Sequence, residues 1–196
     1  MKKIPCLFER DFTDKRRPVL LRTVTPGCEW VIAGEGVATR KWDGTAVMVK
    51  DGKVYARLDC KNGKVPPPGA LPCDPAPDPV TGHWPHWIEA TRPEDRWIRE
   101  AAANELAFPE DGTYEAIGPK IGSNHEHAAE HQLRRHGAAQ FEPFPRDFDG
   151  IRAWLAEHEI EGIVFHHPDG RMVKIRRDDF GLDWPVERTA RGGGRP

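Results

Sequence analysis

Lys41-Trp42-Asp43-Gly44-Thr45-Ala46-Val47-Met48-Val49-Lys50-Asp51-Gly52-Lys53-Val54-Tyr55-Ala56-Arg57-Leu58 is the stretch whose reading decides the fold. Thr45 to Lys50 is rich in β-branched residues and predicts a strand. Asp51-Gly52 is a dipeptide favoured in two-residue hairpins of type I′, and Lys53 to Leu58 predicts the returning strand. A two-residue loop pairs Lys50 with Lys53 and Ala46 with Arg57. Side chains alternate along each strand, so Ala46, Met48, Tyr55 and Arg57 share one face. Arg57 is thereby expected beside the turn that holds Lys41, where Gly44 is expected to let the backbone bend sharply. That placement suits a lysine that attacks a phosphate. An amine is nucleophilic only when deprotonated, a nearby cation or burial favours that form, and a guanidinium fork matches phosphate oxygens. A solvated surface turn explains the short K-x-D-G pattern equally well when it is taken alone.

Composition narrows the classes. The chain has 196 residues, 38% hydrophobic and 31% charged, which describes a globular protein long enough for a sizeable core. No apolar run approaches a membrane span, and Met1-Lys2-Lys3-Ile4-Pro5 lacks a signal-peptide core, so a cytoplasmic location is expected. Cys6, Cys28, Cys60 and Cys73 form no C-x-x-C pair, so neither a disulfide framework nor a zinc ribbon is expected. Cys73, His83 and His86 match no common metal spacing and read as loop residues. The formal charge of −2 argues against a uniformly basic nucleic-acid coat and leaves room for a local basic cleft.

Outward from the hairpin, Val19-Leu20-Leu21 predicts a strand, and 28–33 fits a short helix or a strand. Eight prolines from Pro66 to Pro85 predict a long surface loop. Residues 91–106 predict a helix that begins near Pro93 with Glu94 and Asp95 in its first turn. Trp84, Trp87 and Trp97 read as packing residues. Thr113 to Gly118 predicts a strand on which Glu115 is buried or faces a cleft, and buried carboxylates are uncommon unless paired. Residues 125–136 predict a helix ended by Gly137, with His127 and His131 on an exposed face rather than in a metal site. A further helix over 147–159 carries Ile151, Trp154 and Leu155 on one face. Glu161 to Phe165 and Met172 to Arg176 predict a final hairpin. Lys174 and Arg176 share a face in any register, and a loop of His167 to Gly170 pairs Glu161 with Arg176 and Ile163 with Lys174. The bland alternative is an exposed cross-strand ion pair of little consequence.

Four runs in order, A-T-R-K-W-D-G-T at Ala38, Y-E-A-I-G-P-K-I at Tyr114, E-G-I-V-F-H at Glu161 and V-K-I-R at Val173, resemble the covalent nucleotidyltransferases, the ligase and capping-enzyme superfamily. Arg57 follows Lys41 by 16 residues, like the arginine downstream of the ligase lysine. Within that superfamily the runs most resemble the small single-domain 5′-3′ RNA ligases related to the vertebrate enzyme, over about Ala38 to Trp184.

The resemblance implies an α+β nucleotidyltransferase (adenylation) domain of antiparallel sheets flanked by helices, with the active site in a cleft between the sheets. That single domain is expected over 1–186, followed by a disordered tail over 187–196. It implies ATP and magnesium, with manganese a substitute. Lys41 would attack the α-phosphate. Asp43, Glu115 and Glu161 would set the hydrated metal and the ribose. Arg57, Lys174 and Arg176 would hold phosphates, and Thr39, Arg40 and Lys120 would complete the nucleotide site. The expected partner is RNA bearing 5′-phosphate and 3′-hydroxyl ends, with no membrane and no obligate protein partner. Arg40 stands where many relatives have an acid that reads the adenine amine, Ala46 replaces a polar residue, and Arg176 stands where lysine is common. A compact DNA ligase, a GTP-dependent capping-type enzyme and a non-catalytic end-binding module share these motifs.

Overall fold

A computed structural model describes residues 3–14, 18–61, 63–79 and 81–186. The tail expected over 187–196 lies outside the described residues. The chain is α+β, with antiparallel sheets and few helices. It divides into two compact units, one built on Trp42–Ala139 and the other on Pro5–Lys41 with the residues from Gln140 onward.

In the first unit, strands β4 (Thr45–Lys50) and β5 (Lys53–Cys60) form the expected hairpin. Lys50 pairs with Lys53 and the ladder runs to Val47 with Ala56. Asp51 and Gly52 both take positive φ, 50° and 70°, as a type I′ turn demands. The sheet is completed by β6 (Leu71–Pro72), β7 (Trp84–Glu89), β8 (Gly112–Ile117) and β9 (Gln132–Arg135), in the order β6-β7-β5-β4-β8-β9. Its inward positions, Val47, Val49, Ala56, Tyr114, Ala116 and Leu133, bury against Ile98, Ala101 and Ala102 of helix α2 (Arg96–Ala103). The proline-rich segment is mostly loop, but Leu71–Pro72 and Pro85 take part in strands.

Residues 125–136 do not form the expected helix. Gly122, Asn124 and His127 take positive φ, which breaks helical winding, and 132–135 continue as β9. His131 is not exposed either. It is buried, donates from Nδ1 to Glu100 Oε1 at 2.8 Å and accepts the Lys120 N–H on Nε2 at 3.2 Å.

The second unit holds the hairpin β1 (Phe8–Asp11) and β2 (Val19–Val24), and a four-stranded sheet. That sheet contains β3 (Val37–Lys41), β10 (Gln140–Phe141), β11 (Gly162–His166) and β12 (Met172–Arg176), in the order β10-β3-β11-β12. Residues 28–33 resolve as the short helix α1 (Glu29–Ile32). Helix α3 (Phe148–Glu157) starts where Asp147 accepts the Gly150 N–H, a cap that contributes about 1 kcal/mol. Ile151 and Leu155 of α3 pack on Ala38, Ile163, Phe165, Val173 and Ile175 of the sheet, all at most 1% exposed. Burying each such aliphatic side chain stabilises the fold by about 1.5–3 kcal/mol.

Candidate active site

In the second unit, β11 pairs with both β3 and β12. Gly162 stands opposite Lys41 on one side and Arg176 on the other, and Val164 stands between Thr39 and Lys174 in the same way. Alternation therefore sets Lys41, Arg176, Thr39 and Lys174 on one face, while Ile163 and Ile175 are buried on the other. A Cβ at Gly162 would lie 2.3 Å from the Ile175 carbonyl oxygen and 2.8 Å from Arg176 Cα. Glycine here serves close approach, and it leaves no side chain between Lys41 and Arg176.

The expected register of the last hairpin is off by one residue. Gly162, not Glu161, pairs with Arg176, and Val164, not Ile163, pairs with Lys174, because five residues connect the strands rather than four. Glu161 precedes the strand, so alternation does not fix its direction. Its Oε2 accepts a hydrogen bond from Lys41 Nζ at 2.5 Å, with the glutamate side chain 12% exposed.

Lys174 has no ion pair or side-chain hydrogen bond among the described residues. Burial pushes its amine below the ordinary value, and the charges of Lys41, Arg176 and Arg10 push the same way against a weaker pull from Asp179. For Arg176, burial works against the charge. The carboxylates of Asp179 and Asp178 outweigh it and raise the guanidinium above its usual range. Its backbone N–H also donates to Asp179 Oδ2 at 2.9 Å. Thr39 is buried and donates its hydroxyl to the Val164 carbonyl at 2.9 Å. Arg40 pairs with Ile163 and so points away from the Lys41 face.

In the first unit, the strand face away from the core carries one cross-strand row. Trp87 pairs with Arg57, Ala46 with Glu115, and Glu115 with Arg134, while the hairpin register sets Ala46 beside Arg57. Ala46 is the small residue of that row, between a guanidinium and a carboxylate. Arg57 donates from Nε to Asp59 Oδ1 at 3.1 Å. Glu115 is paired, as a largely buried carboxylate should be: His136 Nε2–H donates to its Oε2 at 3.0 Å. Asp43 accepts from His125 Nδ1–H at 2.7 Å, and its own N–H donates to Glu126 Oε1 at 2.9 Å. Arg134 lies over the Trp42 ring at 5.2 Å. His125, Glu126, Arg134 and His136 are site neighbours that the sequence reading missed, since it assigned 125–136 to an exposed helix. Lys120 is exposed, with its N–H held by His131.

Gly44 differs from expectation in its reason. It does not adopt positive φ; a Cβ there would lie 2.1 Å from the Ala116 carbonyl oxygen. The residue lets the turn after Lys41 pack directly on β8.

Among the described residues no group of three or more His, Cys, Asp and Glu side chains is placed to hold a metal ion. All four cysteines are free thiols. The carboxylates Asp43, Glu115 and Glu161 are oxygen donors, the ligand type of hard cations rather than of structural zinc.

A family model described as RNA ligase 1 matches residues 106–193. RNA ligase 1 of Mus musculus is 33% identical over 106 residues, which covers 50% of this chain and 32% of the mouse protein. RNA ligase 1 of Danio rerio is 34% identical over 109 residues, covering 50% and 33%. Over this part of its length the chain is similar to RNA ligase 1. It spans about a third of the length of the curated relatives it matches. The segment matched to RNA ligase 1 contains Glu115, Lys120, Glu161, Lys174 and Arg176, while Lys41, Asp43 and Arg57 precede it.

Proposed function

We propose that this chain is an ATP-dependent RNA ligase with a nucleotidyltransferase fold, which joins RNA 5′-phosphate and 3′-hydroxyl ends. The observation that carries the reading is Lys41 Nζ on Glu161 Oε2, on the sheet face that also presents Lys174 and Arg176. Relationship to RNA ligase 1 supports the choice of RNA.

In the first step the Lys41 amine attacks the α-phosphorus of ATP. A P–N bond forms, the P–O bond to pyrophosphate breaks, and the amine gives up a proton. Glu161 holds the amine in place and is the nearest acceptor for that proton. Lys174 and Arg176 offer fixed positive charge to the oxygens on which charge builds during in-line displacement. Arg176 is suited to a bidentate contact and Lys174 to a point contact. AMP then passes to the RNA 5′-phosphate, and a 3′-hydroxyl displaces it to make the phosphodiester. Glu161 would hold hydrated magnesium, the role that the resemblance also implies for Asp43 and Glu115. The metal would supply charge neutralisation on the phosphates and compete with Lys41 for the Glu161 carboxylate. Arg57 is assigned to phosphate and Lys120 to the nucleotide.

The test is incubation with α-labelled ATP or GTP and magnesium, then denaturing electrophoresis of the protein and of added 5′-phosphorylated RNA and DNA. Label from ATP on the protein and joining of RNA are expected. Transfer from GTP alone, sealing of DNA alone, or no covalent label would overturn the reading.

A further inference from the structure

Arg10 lies on β1, outside every motif that marks the site. Its Nη2 donates to Asp179 Oδ1, and Nη2 of Arg176 reaches the same oxygen at 3.3 Å. Asp179 is 3% exposed, so little water competes for that carboxylate. One carboxylate cannot neutralise two guanidiniums. Asp178, 3.2 Å from Arg176 Nε, is 53% exposed and largely screened.

The chain path explains how Arg10 arrives there. Lys174 N–H donates to the Pro5 carbonyl at 2.9 Å, and Leu7 N–H donates to the Lys174 carbonyl at 2.8 Å. The segment leading into β1 is thus laid along β12 at Lys174. A guanidinium carries five N–H donors, and Arg10 Nε is buried with no acceptor among the described residues. Lys174 likewise lacks a partner there. Four cations, Arg10, Lys41, Lys174 and Arg176, face three carboxylates, Glu161, Asp178 and Asp179. A cluster with surplus charge and unfilled donors is short of an anion.

We propose that Arg10 is a phosphate-binding residue that works with Lys174 and Arg176, its guanidinium held by Asp179 so that the remaining donors meet a phosphate oxyanion. The anion is either the polyphosphate of the nucleoside triphosphate or the terminal phosphate of RNA, since both present the same oxygens. The source of the anion rests on the ligase reading; the anion site itself does not.

Inorganic tripolyphosphate, titrated calorimetrically into the full chain, tests the site without any reaction. Arg10→Gln is expected to weaken binding about tenfold or more, because charge-assisted hydrogen bonds are lost. Arg10→Lys, which keeps the charge and loses the fork, falls between. Arg22→Gln is the control, since Arg22 removes the same charge from an exposed pair with Asp149. Tripolyphosphate binding that is absent in the parent, or equal in Arg10→Gln and Arg22→Gln, overturns the proposal, and thermal melting identifies a variant that fails to fold. Kinetics then assign the source. A raised KM for ATP in self-adenylation with unchanged sealing of pre-adenylated RNA assigns the polyphosphate; the reverse assigns the RNA end. A parent chain that binds tripolyphosphate but never becomes labelled would end the ligase reading and leave the anion site standing.

Discussion

Lys41 reaches Glu161 although the strand register sets Lys41 opposite Gly162. The carboxylate lies one residue before β11, and Gly162 supplies the gap that a side chain would otherwise close. The lysine–carboxylate contact thus depends on two adjacent residues of E-G-I-V, one through its side chain and one through lacking a side chain.

Lys41→Ala should abolish covalent labelling by ATP while leaving the melting temperature close to the parent value. Glu161→Gln should keep the lysine but slow adenylation about 10²-fold or more, since a misplaced attacking group loses that much. Rates come from label incorporation in single turnover. Label persisting on Lys41→Ala would remove the lysine from the reaction.

Gly162→Ala should lower stability by about 1–3 kcal/mol, because the new methyl meets backbone atoms of Ile175 and Arg176 that cannot swing aside. Urea unfolding measures it. A variant as stable as the parent would show that β11 and β12 have slack at this point, and the close-approach argument would fail.

Local signals carried much of the fold. Alternation plus Asp51-Gly52 predicts the first hairpin and its register, and Asp147 marks the start of α3. The register of the last hairpin escaped because Asp169-Gly170 suits a loop of four or five residues, and one residue turns a strand over. The segment around His131 was misread because what settles it is distant in sequence: Glu100 on α2 makes burial of that imidazole possible. Glu115 reads from the sequence as a carboxylate that is buried or faces a cleft, yet its partner His136 is hidden by the same misassigned helix. Arg10 had no local signal at all, since its meaning comes from meeting Asp179 across the fold.

Chelation should abolish ligation, and magnesium or manganese should restore it. Magnesium takes one or two carboxylates and keeps several waters, with substrate phosphates completing its shell. Added metal should therefore bind weakly to the free protein and more tightly once ATP is present, as read by titration with manganese. Stoichiometric zinc, with activity that survives chelation, would mean these carboxylates have another task.

Lys174 links the site to stability. Burial, then Lys41, Arg176 and Arg10, hold its folded-state pKa below the ordinary value of 10.5. Between the folded value and 10.5 the unfolded chain binds a proton that the folded chain does not, so stability rises with pH through that window. Below the window both states carry the charge and the folded state bears its full cost. Lys174→Met should therefore melt higher than the parent at neutral pH, with the gap narrowing as pH climbs toward 10.5. Tripolyphosphate should stabilise the parent more than the variant, because only the parent offers the ammonium to an anion. Melting curves across pH, with and without tripolyphosphate, check both. A variant that melts lower than the parent at every pH would show that Lys174 is held by favourable contacts, and the cluster would not be short of an anion.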